Sequence, residues 1–258
     1  MSGPLEMNPP VFRILVCCAV LSLGACSWFG GESPERDSKR TSETYYQLGI
    51  RYMDLNKLEE ARENLERAID EDSDNAKAHN ALAFLYEKLR QYDEAEDEYE
   101  TALNINPDDF GTQNNLGRFR CEHEQVGKGL ALLVKAADNP LNDRQWLALT
   151  NAGRCEMAQG HMAEAEAFFR KALDLNNSYA PALAAMQKIS YQKNDLWPAK
   201  AFLARYLSVA QHTPETLFIG YYTERALGNR ASAEEYRTLL LEKFPNSSEA
   251  KKIRSAQK

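Results

Sequence analysis

The feature that most constrains this chain is a self-similarity recurring every 34 residues. Ala61, Ala95, Gly129, Ala165, Ala199 and Ala233 form a series of small residues with steps of 34, 34, 36, 34 and 34. A second series, Ala68, Ala102, Ala136 and Ala172, keeps the same steps and continues with the larger Tyr206 and Leu240. A third runs Gly49, Ala83, Gly117 and Gly153, then decays at Gln187 and Tyr221. Small residues at fixed offsets let two antiparallel helices approach closely, and large residues beside them fill the remaining space. In the second unit Leu82 and Tyr86 fall on the first helix, and Ala95, Tyr99, Ala102 and Leu103 on the second. No such unit buries its faces alone, so stacked neighbours must share one continuous core.

A period of 34 with small residues at these offsets resembles the tetratricopeptide repeat. The resemblance implies an all-α fold: a solenoid of about six helix-turn-helix repeats wound into a right-handed superhelix. The repeats are placed at 42–75, 76–109, 110–143, 146–179, 180–213 and 214–247. The two extra residues of the 36-residue step fall near 139–143 (NPLND), which predicts a longer turn between the third and fourth repeats. Gly129 stands where the repeat usually carries alanine and reads as a small-for-small exchange. Residues 248–258 are expected to form a polar capping helix or a frayed tail.

The amino end has a different grammar. Residues 14–23 (ILVCCAVLSL) are an apolar run of ten, too short to span a bilayer and the right length for the core of a signal peptide. Arg13 supplies the charge before it. The run ends in Leu23, Gly24, Ala25 and Cys26, which resembles the bacterial lipobox, where the cysteine is acylated and becomes the first mature residue. Residues 1–25 are therefore expected to be a lipoprotein signal peptide. Acyl chains on Cys26 would anchor the protein, each buried CH₂ contributing roughly 0.8 kcal/mol. Ser27 in place of aspartate implies, by the enteric lipoprotein rule, the outer membrane, with the protein facing the periplasm. Residues 26–41 lack periodicity and read as the lipidated cysteine and a flexible tether of at most about 50 Å.

Composition and motifs argue against chemistry. Thirty-one basic and 38 acidic residues leave a formal charge of −7, the wrong sign for a general nucleic-acid binder. His79, His123, His161 and His212 form no metal-ligand pair at short spacing, and there is no nucleophile elbow, phosphate loop or dinucleotide fingerprint. The acidic run Glu94 to Glu98 reads as a solvated helix face. The expectation is a binding protein, not an enzyme, with no cofactor, metal or small-molecule substrate. Carrying over the groove offsets of the repeat gives Tyr46, Ile50 and Met53 in repeat 1. Repeat 2 gives Asn80, Phe84 and Lys88, repeat 3 Asn114 and Arg118, repeat 4 Thr150 and Arg154, and repeat 6 Phe218, Tyr222 and Arg225. Apolar anchors would supply burial, and amides and guanidinium groups would pair with a ligand's backbone or carboxylates. The apolar amino end, with Tyr46, Ile50 and Phe84, is the expected centre of binding.

Residues 115–122 (NLGRFRCE), 139–141 (NPL) and 150–155 (TNAGRC) resemble the PilF/PilW family of type IV pilus biogenesis lipoproteins, as does the overall plan of lipobox, tether, repeats and basic tail. That resemblance implies a pilotin: an outer-membrane adaptor that binds the pilus secretin and promotes its localisation and multimerisation. The alternative is a lipoprotein scaffold for peptidoglycan enzymes or another envelope machine. With Cys17, Cys18 and Cys26 in the leader and anchor, Cys121 and Cys155 remain, on first helices of consecutive repeats. An exported chain permits a disulfide there, and the family resemblance implies one. Two buried reduced thiols packing as small hydrophobes are the alternative.

Overall fold

The computed structural model describes residues 34–256. Cys26 and the apolar run before it lie outside them. Thirteen α-helices and no strand occur among the described residues. They are α1 (Pro34–Asp54), α2 (Leu58–Glu71), α3 (Ala76–Leu89), α4 (Tyr92–Ile105), α5 (Phe110–Glu122), α6 (Val126–Asp138) and α7 (Gln145–Ala158). The series continues with α8 (Met162–Leu175), α9 (Ala180–Gln192), α10 (Leu196–Leu207), α11 (Pro214–Ala226), α12 (Arg230–Lys243) and α13 (Ser248–Ser255). The odd-numbered helices from α1 to α11 each pair with the even-numbered helix that follows. The result is the all-α repeat solenoid that the periodicity predicts.

One expectation fails at the amino end. The flexible tether predicted over 26–41 is helical from Pro34, because α1 runs 21 residues without a break into the first repeat. Proline is tolerated at a helix start, where its missing N–H has no intrahelical partner anyway. Beyond it, i,i+3 and i,i+4 ion pairs from Asp37 to Arg40 and from Glu35 to Lys39 support the extension. Aperiodic composition suggested a loop, but these local pairs suit a solvated helix as well.

The small-residue series sits where helices cross. Ala61, Ala95, Ala165 and Ala199 are wholly buried, and so are Ala68, Ala102, Ala136 and Ala172. Among the glycines of the described residues, the tightest spot is where α5 crosses α6. A Cβ added to Gly129 would lie 2.5 Å from the Gly117 carbonyl oxygen and 2.8 Å from the Cys121 amide nitrogen. Gly129 is thus not a small-for-small exchange: no methyl group fits while the two backbones stay in place.

Each turn within a pair ends in the same way. Asn56, Arg90, Glu124, Gly160, Asn194 and Gly228 all have positive φ, and they recur with the steps of the alanine series. The next amide N–H reaches back to the carbonyl five residues earlier, as in Gln91 to Tyr86 and His161 to Glu156. This closes the first helix with a Schellman-type cap. The long turn between α6 and α7 is knit by two asparagines. Asn139 Oδ1 accepts from the Leu141 amide, Asn142 Oδ1 accepts from the Arg144 amide, and Asn142 Nδ2 donates to the Ala136 carbonyl. At the far end, Ser247 caps α13, whose Ala250 and Ile253 are buried against Leu217, Tyr221 and Leu240. That helix covers the apolar face the sixth repeat would otherwise expose.

Candidate functional site

Consecutive first helices touch one another along the stack, whereas each second helix meets its own partner and the first helix that follows. The first helices therefore line the inner wall, and their ninth repeat positions fall at one height. Those positions read Ile50, Phe84, Arg118, Arg154, Lys188 and Tyr222. Apolar residues occupy the two amino-terminal repeats, cations the next three, and an aromatic ring the last.

At the amino end, Tyr46, Ile50 and Met53 are half-buried and pack on the core formed by Ala61, Leu65, Ala81, Leu82 and Leu85. They therefore have a structural role inside the repeats, beside any contact with a partner. Phe84 is the most open apolar group of the set at 37% exposure, with the Lys88 ammonium 5.1 Å from its ring centre. Further along the wall the amides form a ladder. Asn151 Nδ2 donates to Asn114 Oδ1 at 2.9 Å, and Asn115 Nδ2 donates to Asn80 Oδ1 at 3.1 Å. Asn80 and Asn114 are thus committed to joining repeats 2, 3 and 4.

Two of the other groove residues are not free to bind. Thr150 is buried, and its hydroxyl donates to the Trp146 carbonyl of its own helix. Arg118 donates to both carboxylate oxygens of Glu87, at 2.7 and 2.8 Å, and to Glu122 at 2.9 Å. The Tyr99 hydroxyl also donates to Glu87, and burial together with that carboxylate pushes the phenol pKa well above its ordinary value. Arg118 is therefore neutralised across the interface between repeats 2 and 3. Arg154 is exposed and makes no hydrogen bond or ion pair to a described residue. Phe218 and Tyr222 meet edge to face with ring centres 4.8 Å apart, and Lys252 of α13 lies over Phe218. Arg225 is exposed and donates to the Tyr221 hydroxyl.

Cys121 on α5 and Cys155 on α7 are joined, with their Cα atoms 5.5 Å apart. The bridge borders a cleft of about 640 Å³ between α5, α7 and α9. Lys188 also lines this cleft, a residue the sequence reading passed over when it took no groove position from repeat 5. Its signal was available: Lys188 stands 34 residues after Arg154, which stands 36 after Arg118. Among the described residues no cluster of three His, Cys, Asp or Glu side chains could hold a metal ion. No helix among them is long and apolar enough to cross a membrane.

Fold and groove define a tetratricopeptide-repeat protein, and residues 52–116 and 148–179 match the family description "Tetratricopeptide repeat". The chain is 25% identical over 238 residues to the type IV pilus assembly protein PilF of Pseudomonas aeruginosa, spanning 91% of this chain and 94% of that one. A solved structure of P. aeruginosa PilF superposes with a TM-score of 0.79 at 23% identity, over 85% of this chain and 99% of the other. PilW, described as a widely conserved type IV pilus biogenesis factor, gives a TM-score of 0.75 at 28% identity, over 82% of this chain and 97% of its own. The protein is a homologue of PilF and is related to the type IV pilus biogenesis factors.

Proposed function

We propose that the protein is a lipid-anchored pilotin that holds a pilus secretin subunit in its groove and promotes the secretin's arrival and multimerisation in the outer membrane. The observation that carries this reading is the relationship to PilF, which runs through nearly the whole of both chains. The repeat fold supports it, because tetratricopeptide solenoids act by presenting an inner wall to a protein partner. The mechanism needs no covalent step: acylated Cys26 sets the address, and the groove carries the passenger. Cys26→Ser should leave the repeats folded and release the protein from the membrane fraction, with secretin multimers lost from the outer membrane. Fractionation of cells lacking the partner isolates the anchor. A variant that still sediments with outer membranes there sinks the address, and normal secretin multimers in cells lacking this protein sink the function.

A further inference from the structure

Three cations stand at one height on consecutive repeats, and all three line the cleft beside the disulfide. They differ in what they already hold. Arg118 is engaged by Glu87 and Glu122. Lys188 reaches Glu215 at 2.7 Å. Arg154, between them, has no carboxylate partner among the described residues. The acids on the cleft wall are Glu122, already held by Arg118, and Glu124 in the α5–α6 turn. Met157 and Met162 give the cleft an apolar side.

A guanidinium offers a planar fork of donors suited to a carboxylate. Arg118 and Lys188 on either side are already paired with carboxylates, so Arg154 is the cleft cation whose donors the described fold leaves open to an incoming anion. The Cys121–Cys155 bridge and the Asn151–Asn114 hydrogen bond fix α5 against α7, so the site is held in place before any ligand arrives. We infer that the cleft is a docking site for an acidic segment of a protein partner, with Arg154 receiving an aspartate, glutamate or terminal carboxylate and the methionines receiving an apolar neighbour. The occupant is a protein segment because the cleft continues the inner wall, where Phe84 offers an apolar anchor toward the amino end. This rests on the reading of the groove as a partner site and names the partner's chemistry.

The test titrates full-length protein in neutral detergent with a fluorescent short peptide alternating leucine and glutamate, and with the same peptide carrying glutamine. The glutamate peptide should bind about tenfold more tightly. Arg154→Ala should abolish that preference without changing the melting temperature, since Arg154 makes no hydrogen bond or ion pair to the described residues. Arg154→Lys should retain most of the preference, and Phe84→Ala should weaken both peptides without changing their ratio. Equal affinity for the two peptides, or a preference that survives Arg154→Ala, overturns the inference. So does equal competition by inorganic phosphate, or Arg154-dependent binding to phosphatidylglycerol vesicles in place of peptide. A glutamate preference with no secretin co-purification keeps this site and removes the pilotin reading. Secretin captured equally by wild type and Arg154→Ala, with no peptide preference, does the reverse.

Discussion

Repeats 1 and 2 and repeats 3 and 4 share one backbone plan and are fastened by different chemistry. In the first pair the fastening is polar, mostly inside each repeat, with His79 reaching the Ser73 carbonyl across the joint. Ser42 is buried, its hydroxyl donates to the Ala68 carbonyl at 2.6 Å, and it accepts from Asn75 Nδ2 at 2.9 Å. His79 extends this, with Nδ1 2.5 Å from Glu98 and Nε2 3.1 Å from the Ser73 carbonyl. In the second pair a polar contact remains, from Asn151 to Asn114, and a covalent bond and close backbones are added: the Cys121–Cys155 bridge, and the Gly117–Gly129 contact that brings α6 under α5. The difference falls where the repeat spacing slips from 34 to 36 residues. The joint at the longer turn is also the most extensively packed one between successive repeats, through α6 on α7 and α5 on α7, and the cross-link adds to that packing. The same solenoid register is thus kept with or without a covalent bond and close backbones added to the hydrogen bonds, and the two joints should fail differently.

The largest expected effect is at the bridge. Replacing both Cys121 and Cys155 with serine should cost about 4 kcal/mol in the chain-entropy account for a loop of this length, and the loss should concentrate in repeats 3 and 4. Hydrogen exchange resolves the location: equal loss of protection in repeats 1 and 2 would mean the joint is not local. Next, Gly129→Ala should destabilise by roughly 1–3 kcal/mol, because α5 and α6 must separate to admit the methyl. In the same helix Gly127 has open space around its Cβ direction, so Gly127→Ala should stabilise by up to about 1 kcal/mol through helix propensity. Denaturant melts of the two variants that moved in the same direction would refute the close-approach account.

Binding should follow the amino-terminal pair. Phe84→Ala is expected to weaken secretin binding about tenfold, roughly 1.4 kcal/mol. Calorimetry on the folded variant measures it, and an unchanged affinity would move the anchor away from repeat 2. Tyr46→Ala is a less clean probe, since Tyr46 also packs on the core of repeats 1 and 2.

The smallest effect is on pH dependence. Burial disfavours a charged His79, but the Glu98 carboxylate, the Ser73 carbonyl and the nearby Asp74 charge outweigh it and raise the pKa above its ordinary value. A raised folded-state pKa means the contribution is complete below the unfolded value of about 6.5 and fades as pH rises through the folded one. Wild type should therefore exceed His79→Gln in melting temperature at mildly acidic pH and lose part of that advantage at alkaline pH. A ring titration by NMR with a midpoint below the ordinary value would reverse the sign and sink the argument.

Much of the fold was legible because burial in a repeat leaves a periodic trace. Small residues must return wherever two helices cross, so the alanine series located the helix pairs without any coordinates. The periodic left-handed turn residue was missed for the converse reason. Gly160, Gly228, Asn56 and Asn194 are of types that favour it, but at Arg90 and Glu124 the capping hydrogen bonds impose the conformation on residues whose type does not announce it, which breaks the pattern. Lys188 was within reach of the same period and needed only the register to be followed into repeat 5.

Sequence alone determined the repeat, the number of helix pairs, the odd step and the close thiols' placement on neighbouring first helices, since all of these follow from spacing along one chain. Tertiary structure alone decided which groove residues are available. Arg118 and Arg154 occupy the same offset in adjacent repeats, and nothing local distinguishes them. Glu87, 31 residues earlier in the chain, reaches Arg118 across a helix interface, while no carboxylate of the described fold reaches Arg154. Ion pairing depends on which side chains neighbouring repeats bring within hydrogen-bond distance, and that separation is set by the stack.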